Sequence, residues 1–119
     1  MSCQLFVEFI APSTNQMYAG QHWSQRKKHK DQAFKAVVAC GRVTAVRPPV
    51  AITVEPVLGK GKRSYDVSNY SYTFKLIEDA LVKRGVIPGD TPAIVREVRF
   101  LSPVRADRSG MKITITEAS

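Results

Sequence analysis

SYDVSNYSYTFKLIEDALVKRGVIPGD, residues 64–90, decides how the chain divides into elements. It reads as an amphipathic helix from about residue 69 to 84, with Phe74, Ile77 and Leu81 at helical spacing and Gly85 as its stop. Acids flank it. Asp66 stands just before the helix, Lys75 lies inside it, and Asp90 follows the exit. Upstream, residues 50–58, VAITVEPVL, read as a strand in which Pro56 argues for an edge position or a bulge. Downstream, residues 94–102 and 111–117 read as two more strands, with RADRSG as the turn between them. MKITITE alternates cleanly, as a half-buried strand does.

The first half repeats the pattern. QLFVEFI at 4–10 reads as a strand, and PSTN at 12–15 as a turn or loop. Residues 24–43 read as a helix with Ser24 as its N-cap and an apolar side of Ala33, Phe34, Val37, Val38 and Cys40. Its first half, QRKKHK, is nearly all cationic, and Pro48-Pro49 ends the unit. GKGKRS at 59–64 reads as a flexible basic loop. The order β-α-β-α-β-β predicts one α/β (α+β) domain across residues 1–119: a small mixed sheet of about four strands with two helices packed on it. A sheet of that size leaves open edges, and edges invite dimerisation.

A length of 119 residues suits a single domain, and an apolar fraction of 44% is enough for a core. No run approaches the ~20 apolar residues of a membrane span. Glu8 inside the first apolar stretch makes the N-terminus a poor signal peptide. Cys3 and Cys40 have no motif spacing, which predicts neither a disulfide framework nor a zinc site and fits a reduced cytosolic compartment.

The net charge is +8, from 18 basic and 10 acidic side chains. That balance favours a polyanionic partner, nucleic acid first and an anionic membrane second. Seven basic residues fall between Arg26 and Arg47, three between Lys60 and Arg63, and seven between Lys83 and Lys112. A spread over several elements suits a broad electrostatic surface better than a binding tail.

Asp66 and Asp90 are the candidates for metal chemistry. Magnesium takes hard oxygen ligands, often one or two carboxylates completed by water and a substrate phosphate. Lys75 could hold the scissile phosphate or neutralise developing charge. Each residue also has a purely structural reading: Asp66 as a helix cap, Asp90 as a turn residue, Lys75 with Asp79 as a surface pair four residues apart. Spacing alone favours that second set. GKGKRS is not a Walker loop, since Pro56 stands where a glycine is required and Arg63 where Ser or Thr is required. His22 and His29 have no metal-ligand partner at a suitable spacing and read as solvent-facing near the basic helix. Trp23 and Tyr65 could stack on bases, although lone aromatics more often pack.

The pattern D-x-x-N-x5-K-x3-D-A-L followed by G-V-I-P-G-D, here Asp66, Asn69, Lys75, Asp79-Ala80-Leu81, Gly85 and Asp90, resembles the RusA family of Holliday junction resolvases of phages and prophages. Pro12, Ser13, Asn15 and Tyr18 are similar to the family's opening after its first strand, and KITITE to its last strand. The likeness spans roughly residues 5 to 117, and its specificity lies in the order and spacing of its pieces. It implies a homodimeric endonuclease that uses Mg2+, or Mn2+ in its place, to cut four-way DNA junctions in recombination and repair. Such an enzyme would work in the cytoplasm of a bacterial or phage-infected cell. Asp66 and Asp90 would be the metal-binding catalytic carboxylates, Lys75 the catalytic lysine and Asn69 the polar residue before the helix. Where the family often carries a second aspartate, this chain has Ser68. The resemblance therefore leaves two expectations: a site that works with two acids, supported by Ser68, Asp79 or Glu78, or a relative that binds branched DNA without cutting it.

A third reading is a small basic interaction protein whose acids are caps and turns. For the nucleic-acid readings, the backbone contacts would come from Arg26, Lys27, Lys28, Lys30, Lys60, Lys62 and Arg63, with Asn15 and Tyr18 nearby, and from Arg96, Arg99, Arg105 and Arg108. A helix from 69 to 84 is about 22 Å long. Asp90 lies five residues past Gly85, a reach of at most ~17 Å. The site then needs either a tight return along the helix or a second subunit.

Overall fold

The computed structural model describes residues 2–19 and 23–118, the side chain of Trp23 excepted. Five strands form one mixed sheet: β1 (Ser2–Val7), β2 (Val50–Leu58), β3 (Val95–Phe100), β4 (Val104–Arg105) and β5 (Gly110–Glu117). Their order is β1-β5-β2-β3, with β4 also on β2. The helices are α1 (Thr14–Tyr18), α2 (Arg26–Val38) and α3 (Ser71–Arg84). The architecture is the expected α+β single sheet with helices, with one more strand and one more short helix than the periodicity reveals.

Alternation sets which face is buried. Cys3, Leu5 and Val7 of β1, Val50, Ile52 and Val54 of β2, and Met111, Ile113 and Ile115 of β5 all turn inward. Antiparallel pairing aligns them, with Leu5 opposite Ile113 and Ile52 opposite Ile115. Phe74, Ile77 and Leu81 of α3 and Val37 of α2 join the same core. Each such side chain contributes on the order of 2 kcal/mol by leaving water. The opposite face of the sheet carries polar groups, among them Gln4, whose amide donates to the Thr114 hydroxyl at 3.2 Å.

β2, α3 and β3 form a crossover, and β2 and β3 run parallel with Val54 opposite Phe100. Pro56 therefore does not mark an edge strand, since β2 lies inside the sheet between β5 and β3. The proline is tolerated because of a gap: β3 pairs with β2 as far as Val54, and β4 begins at Val57. Between those points no strand on that side requires its missing N–H.

The boundaries of α2 differ from the expected 24–43. Ser24 belongs to a 3-10 turn, Trp23–Gln25, and Gln25 occupies the cap position without a side-chain bond. The helix closes early, with Cys40 and Gly41 N–H groups reaching back three residues to Val37 and Val38. Arg84 of α3 then donates to the carbonyls of Val37 and Gly41, taking up acceptors that the end of α2 leaves free.

α3 ends as its sequence predicts. Gly85 adopts φ +88°, its N–H reaches Val82 O at 3.0 Å, and the Val86 N–H reaches Leu81 O at 2.9 Å, a Schellman closure. Its start is different. A 3-10 turn, Val67–Tyr70, leads into it, and the side chain of Tyr70 at the cap makes no capping bond, its hydroxyl instead accepting the Tyr65 N–H at 3.1 Å. The cap comes from far away in sequence: the Thr14 hydroxyl accepts the Tyr72 N–H at 2.9 Å.

Candidate functional site

The return from Gly85 positions Asp90. Val86 and Ile87 are buried and pull the chain back under α3. Lys75 lies ten residues before Gly85, about 15 Å along the helix, and the chain after Gly85 returns far enough to bring Asp90 Oδ2 to 2.8 Å from Lys75 Nζ. One chain thus brings Lys75 and Asp90 together without a second subunit. The same ammonium lies 3.4 Å from Glu78 Oε1 and 3.5 Å from Asp79 Oδ1. These follow from helical spacing, at three and four residues beyond Lys75.

The four groups are electrically coupled and unequally wet. The hydrogen bond to Asp90 holds the Lys75 ammonium protonated well above the usual lysine range, against a smaller opposing effect of burial. The same bond lowers Asp90 below the usual aspartate range. Glu78 goes the other way: burial raises it, and the nearby Lys75 only partly compensates. Its side chain is 10% exposed, against 40% for Asp90.

Asp66 is not among the carboxylates around Lys75. It is exposed before the 3-10 turn, where its carbonyl accepts the Asn69 N–H at 2.8 Å. Its side chain caps nothing, so the helix-cap reading of Asp66 does not describe the structure. Ser68 is exposed on the same turn. Among the described residues, no three His, Cys, Asp or Glu side chains converge in a metal-binding group. The three acids at Lys75 are spread around its ammonium.

Asn69 links the two separated motifs. Its side-chain oxygen accepts the Asn15 N–H at 3.0 Å, and its carbonyl accepts the Thr14 hydroxyl at 3.2 Å. The Thr14 and Ser71 hydroxyls are 2.8 Å apart. Ser13 completes a capping box with Gln16 at the start of α1. These bonds fix α1 against the first turn of α3.

Between α1, α3 and the end of β3 lies a cavity of about 630 Å3. Met17, Tyr18, Phe74, Val98 and Phe100 form its apolar walls, and Lys75 and Glu78 reach it from the cluster. Arg26 borders it from α2. Tyr18 is 84% exposed, the most exposed large apolar side chain among the described residues. A larger cavity of about 720 Å3 lies between β1 and α2, lined in part by Glu8, Lys35 and Arg108. None of the Lys75 cluster borders it.

The basic residues divide into two sets. Arg26, Lys27, Lys28 and Lys30 are exposed along α2, Lys60 and Arg63 are exposed on their loop, and Lys62 is half-buried. Others also serve the fold. Arg105 donates to the Lys62 carbonyl at 2.6 Å and pins that loop, so the loop expected to be flexible has an anchor. Arg108 pairs with Glu8 at 2.6 Å and Arg99 with Glu97 at 3.1 Å.

One expectation changes, for His29, and the packing reading of Tyr65 holds. His29 is buried, not solvent-facing, with Nδ1 2.9 Å from the Tyr72 hydroxyl. Tyr65 packs on Tyr70, ring centroids 5.0 Å apart, and its hydroxyl donates to the Ala11 carbonyl. His22 and the Trp23 side chain lie outside the described residues. The cavity walls at Met17, Val98 and Phe100 had no signal in the sequence, because apolar residues of α1 and β3 read as ordinary packing. No helix among the described residues is long and apolar enough to cross a membrane. Neither the family models nor the curated proteins contain a match to this chain.

Proposed function

We propose that the chain is a magnesium-dependent endonuclease of branched DNA, cutting four-way junctions as a homodimer in the cytoplasm, as its resemblance to the RusA resolvases implies. The observation that supports this best is the Lys75 cluster. One ammonium is shared by Asp90, Glu78 and Asp79 at the border of an aromatic cavity, on a chain of net charge +8.

The carboxylates at Lys75 are of the hard-oxygen type that Mg2+ takes, although among the described residues they do not converge as a ligand group and Asp66 lies outside them. Asp90 and Glu78 offer carboxylate oxygens against the same nitrogen, one exposed and one buried, and the resemblance adds Asp66. Mg2+ or Mn2+ held there would activate water and offset charge at the scissile phosphate. Lys75 stays protonated through neutral pH and can turn from Asp90 to a phosphate oxygen. Glu78, raised by burial, is suited to accept a proton nearer neutrality than an exposed glutamate. The cationic face of α2 would hold the DNA arms, with affinity falling steeply as salt rises.

The test is cleavage of a synthetic four-way junction and a matched duplex in Mg2+, with Asp90→Asn and Lys75→Met alongside. Symmetric cutting of the junction by the parent, lost in both variants while binding persists, is the expected result. Cutting that survives Asp90→Asn removes the cluster from the mechanism.

A second reading is a branched-DNA-binding protein that does not cut. It is favoured by the pairing of Asp90 with Lys75 at 2.8 Å, which already neutralises the carboxylate, and by Ser68 in place of an acid. A parent protein that binds junctions yet never cuts them in Mg2+ or Mn2+ would establish it.

A further inference from the structure

We propose that the cavity between α1, α3 and β3 receives one unpaired base of the bound DNA, placing that nucleotide's phosphate against Lys75. The inference rests on the branched-DNA reading above, and adds to it the position where the DNA is distorted.

Three observations carry it. The first is shape: about 630 Å3 falls inside the range of roughly 300–1,000 Å3 typical of small-ligand pockets, ample for one flat heterocycle. The second is chemistry. Tyr18, Tyr72 and Phe100 supply aromatic surfaces over a floor formed by the buried Phe74, and the Ser71 hydroxyl supplies a polar edge, the Thr14 hydroxyl being taken up by Tyr72 and Asn69. Rings stack on any base, while a hydroxyl can serve as donor or acceptor to the base edge. The third is Tyr18 itself. An aromatic ring 84% exposed contributes almost nothing to the core, yet its helix is held by the Ser13 capping box and by the Thr14 and Asn15 bonds to Asn69. A rigid mount for an exposed ring is the arrangement that stacking on a ligand requires.

The occupant is a base because of what surrounds the opening. Lys75 and Arg26 both line the cavity, with the Glu78 carboxylate beside Lys75, so an apolar ring can enter while an attached phosphate competes with the acids for the Lys75 ammonium. In an intact duplex each base is stacked and paired, and withdrawing it is costly. At a branch point the stacking is interrupted on one side, which lowers that cost. The cavity would therefore favour junctions over duplex without reading sequence through base-edge hydrogen bonds alone.

The experiment uses four-way junctions carrying 2-aminopurine at each position flanking the branch in turn, with a matched labelled duplex, in EDTA so that nothing is cut. The parent should change the emission at one flanking position and leave the duplex label unchanged. Tyr18→Phe should retain this. Tyr18→Ala, at an exposed position, should lose the emission change and about ten-fold in junction affinity. If Tyr18→Ala binds with parental affinity and the same emission change, the cavity does not hold a base, while the branched-DNA reading stands. If the parent binds no DNA at all, both fall together.

Discussion

Replacing Thr14 by valine tests whether a residue remote in sequence caps α3. Valine keeps the shape and removes only the hydroxyl. That hydroxyl accepts the Tyr72 N–H at 2.9 Å, contacts Asn69 O at 3.2 Å, and lies 2.8 Å from the Ser71 hydroxyl. Tyr70 at the cap position makes no capping bond with its side chain, so it does not replace the lost acceptor. Loss of a side-chain N-cap costs about 1 kcal/mol, and leaving partly buried partners unpaired adds a similar amount. The expected destabilisation is about 2 kcal/mol, a fall in Tm of about 8 °C for a domain of this size. Urea unfolding with thermal denaturation measures it. Thr14→Ser, which restores the hydroxyl, should recover most of the loss. A double-mutant cycle with Ser71→Ala should be non-additive, because the two hydroxyls share one network. A Thr14→Val protein within 0.5 kcal/mol of the parent, or additive single effects, would refute the cap.

Other predictions follow from the same geometry. Asp90 is lowered by Lys75, so its stabilising contribution is full above the ordinary aspartate value near 3.8 and is lost as pH falls through the lower folded value; Asp90→Asn should flatten that acid limb in pH-dependent denaturation. Glu78 is raised by burial, so its ionisation opposes folding as pH rises from about 4.5; Glu78→Gln should lose less stability at pH 7 than at pH 4 relative to the parent. Gly110→Ala should destabilise by more than about 2 kcal/mol, since a Cβ there would lie 2.5 Å from the Val7 carbonyl oxygen and force β1 off β5; thermal denaturation reads it. Lys27→Ala with Lys28→Ala, both exposed on α2, should reduce the slope of log affinity against log salt for DNA by about 2 in a fluorescence titration, leaving fold stability unchanged.

Much of the fold was legible locally. Phe74, Ile77 and Leu81 recur at helical spacing, and Gly85 supplies the left-handed residue that stops the helix, so α3 could be read from its own residues. β5 was equally clear, since alternation is a property of the strand alone. Pro56 misled because its tolerance depends on where β3 ends and β4 begins, which the sequence of β2 does not encode. His29 misled because its burial depends on Tyr72, more than forty residues away.

The site divides along the same line. Asp79 and Glu78 near Lys75 follow from three- and four-residue helical spacing, and the sequence alone determined them. That Asp90 returns to the same ammonium, that Thr14 caps a helix it does not belong to, and that α1 and β3 wall a cavity beside Lys75 were decided only by tertiary structure. Helical spacing is fixed by the backbone hydrogen bonds of one segment. Contacts between segments depend on which buried side chains, such as Val86 and Ile87, anchor the connecting chain against the shared core.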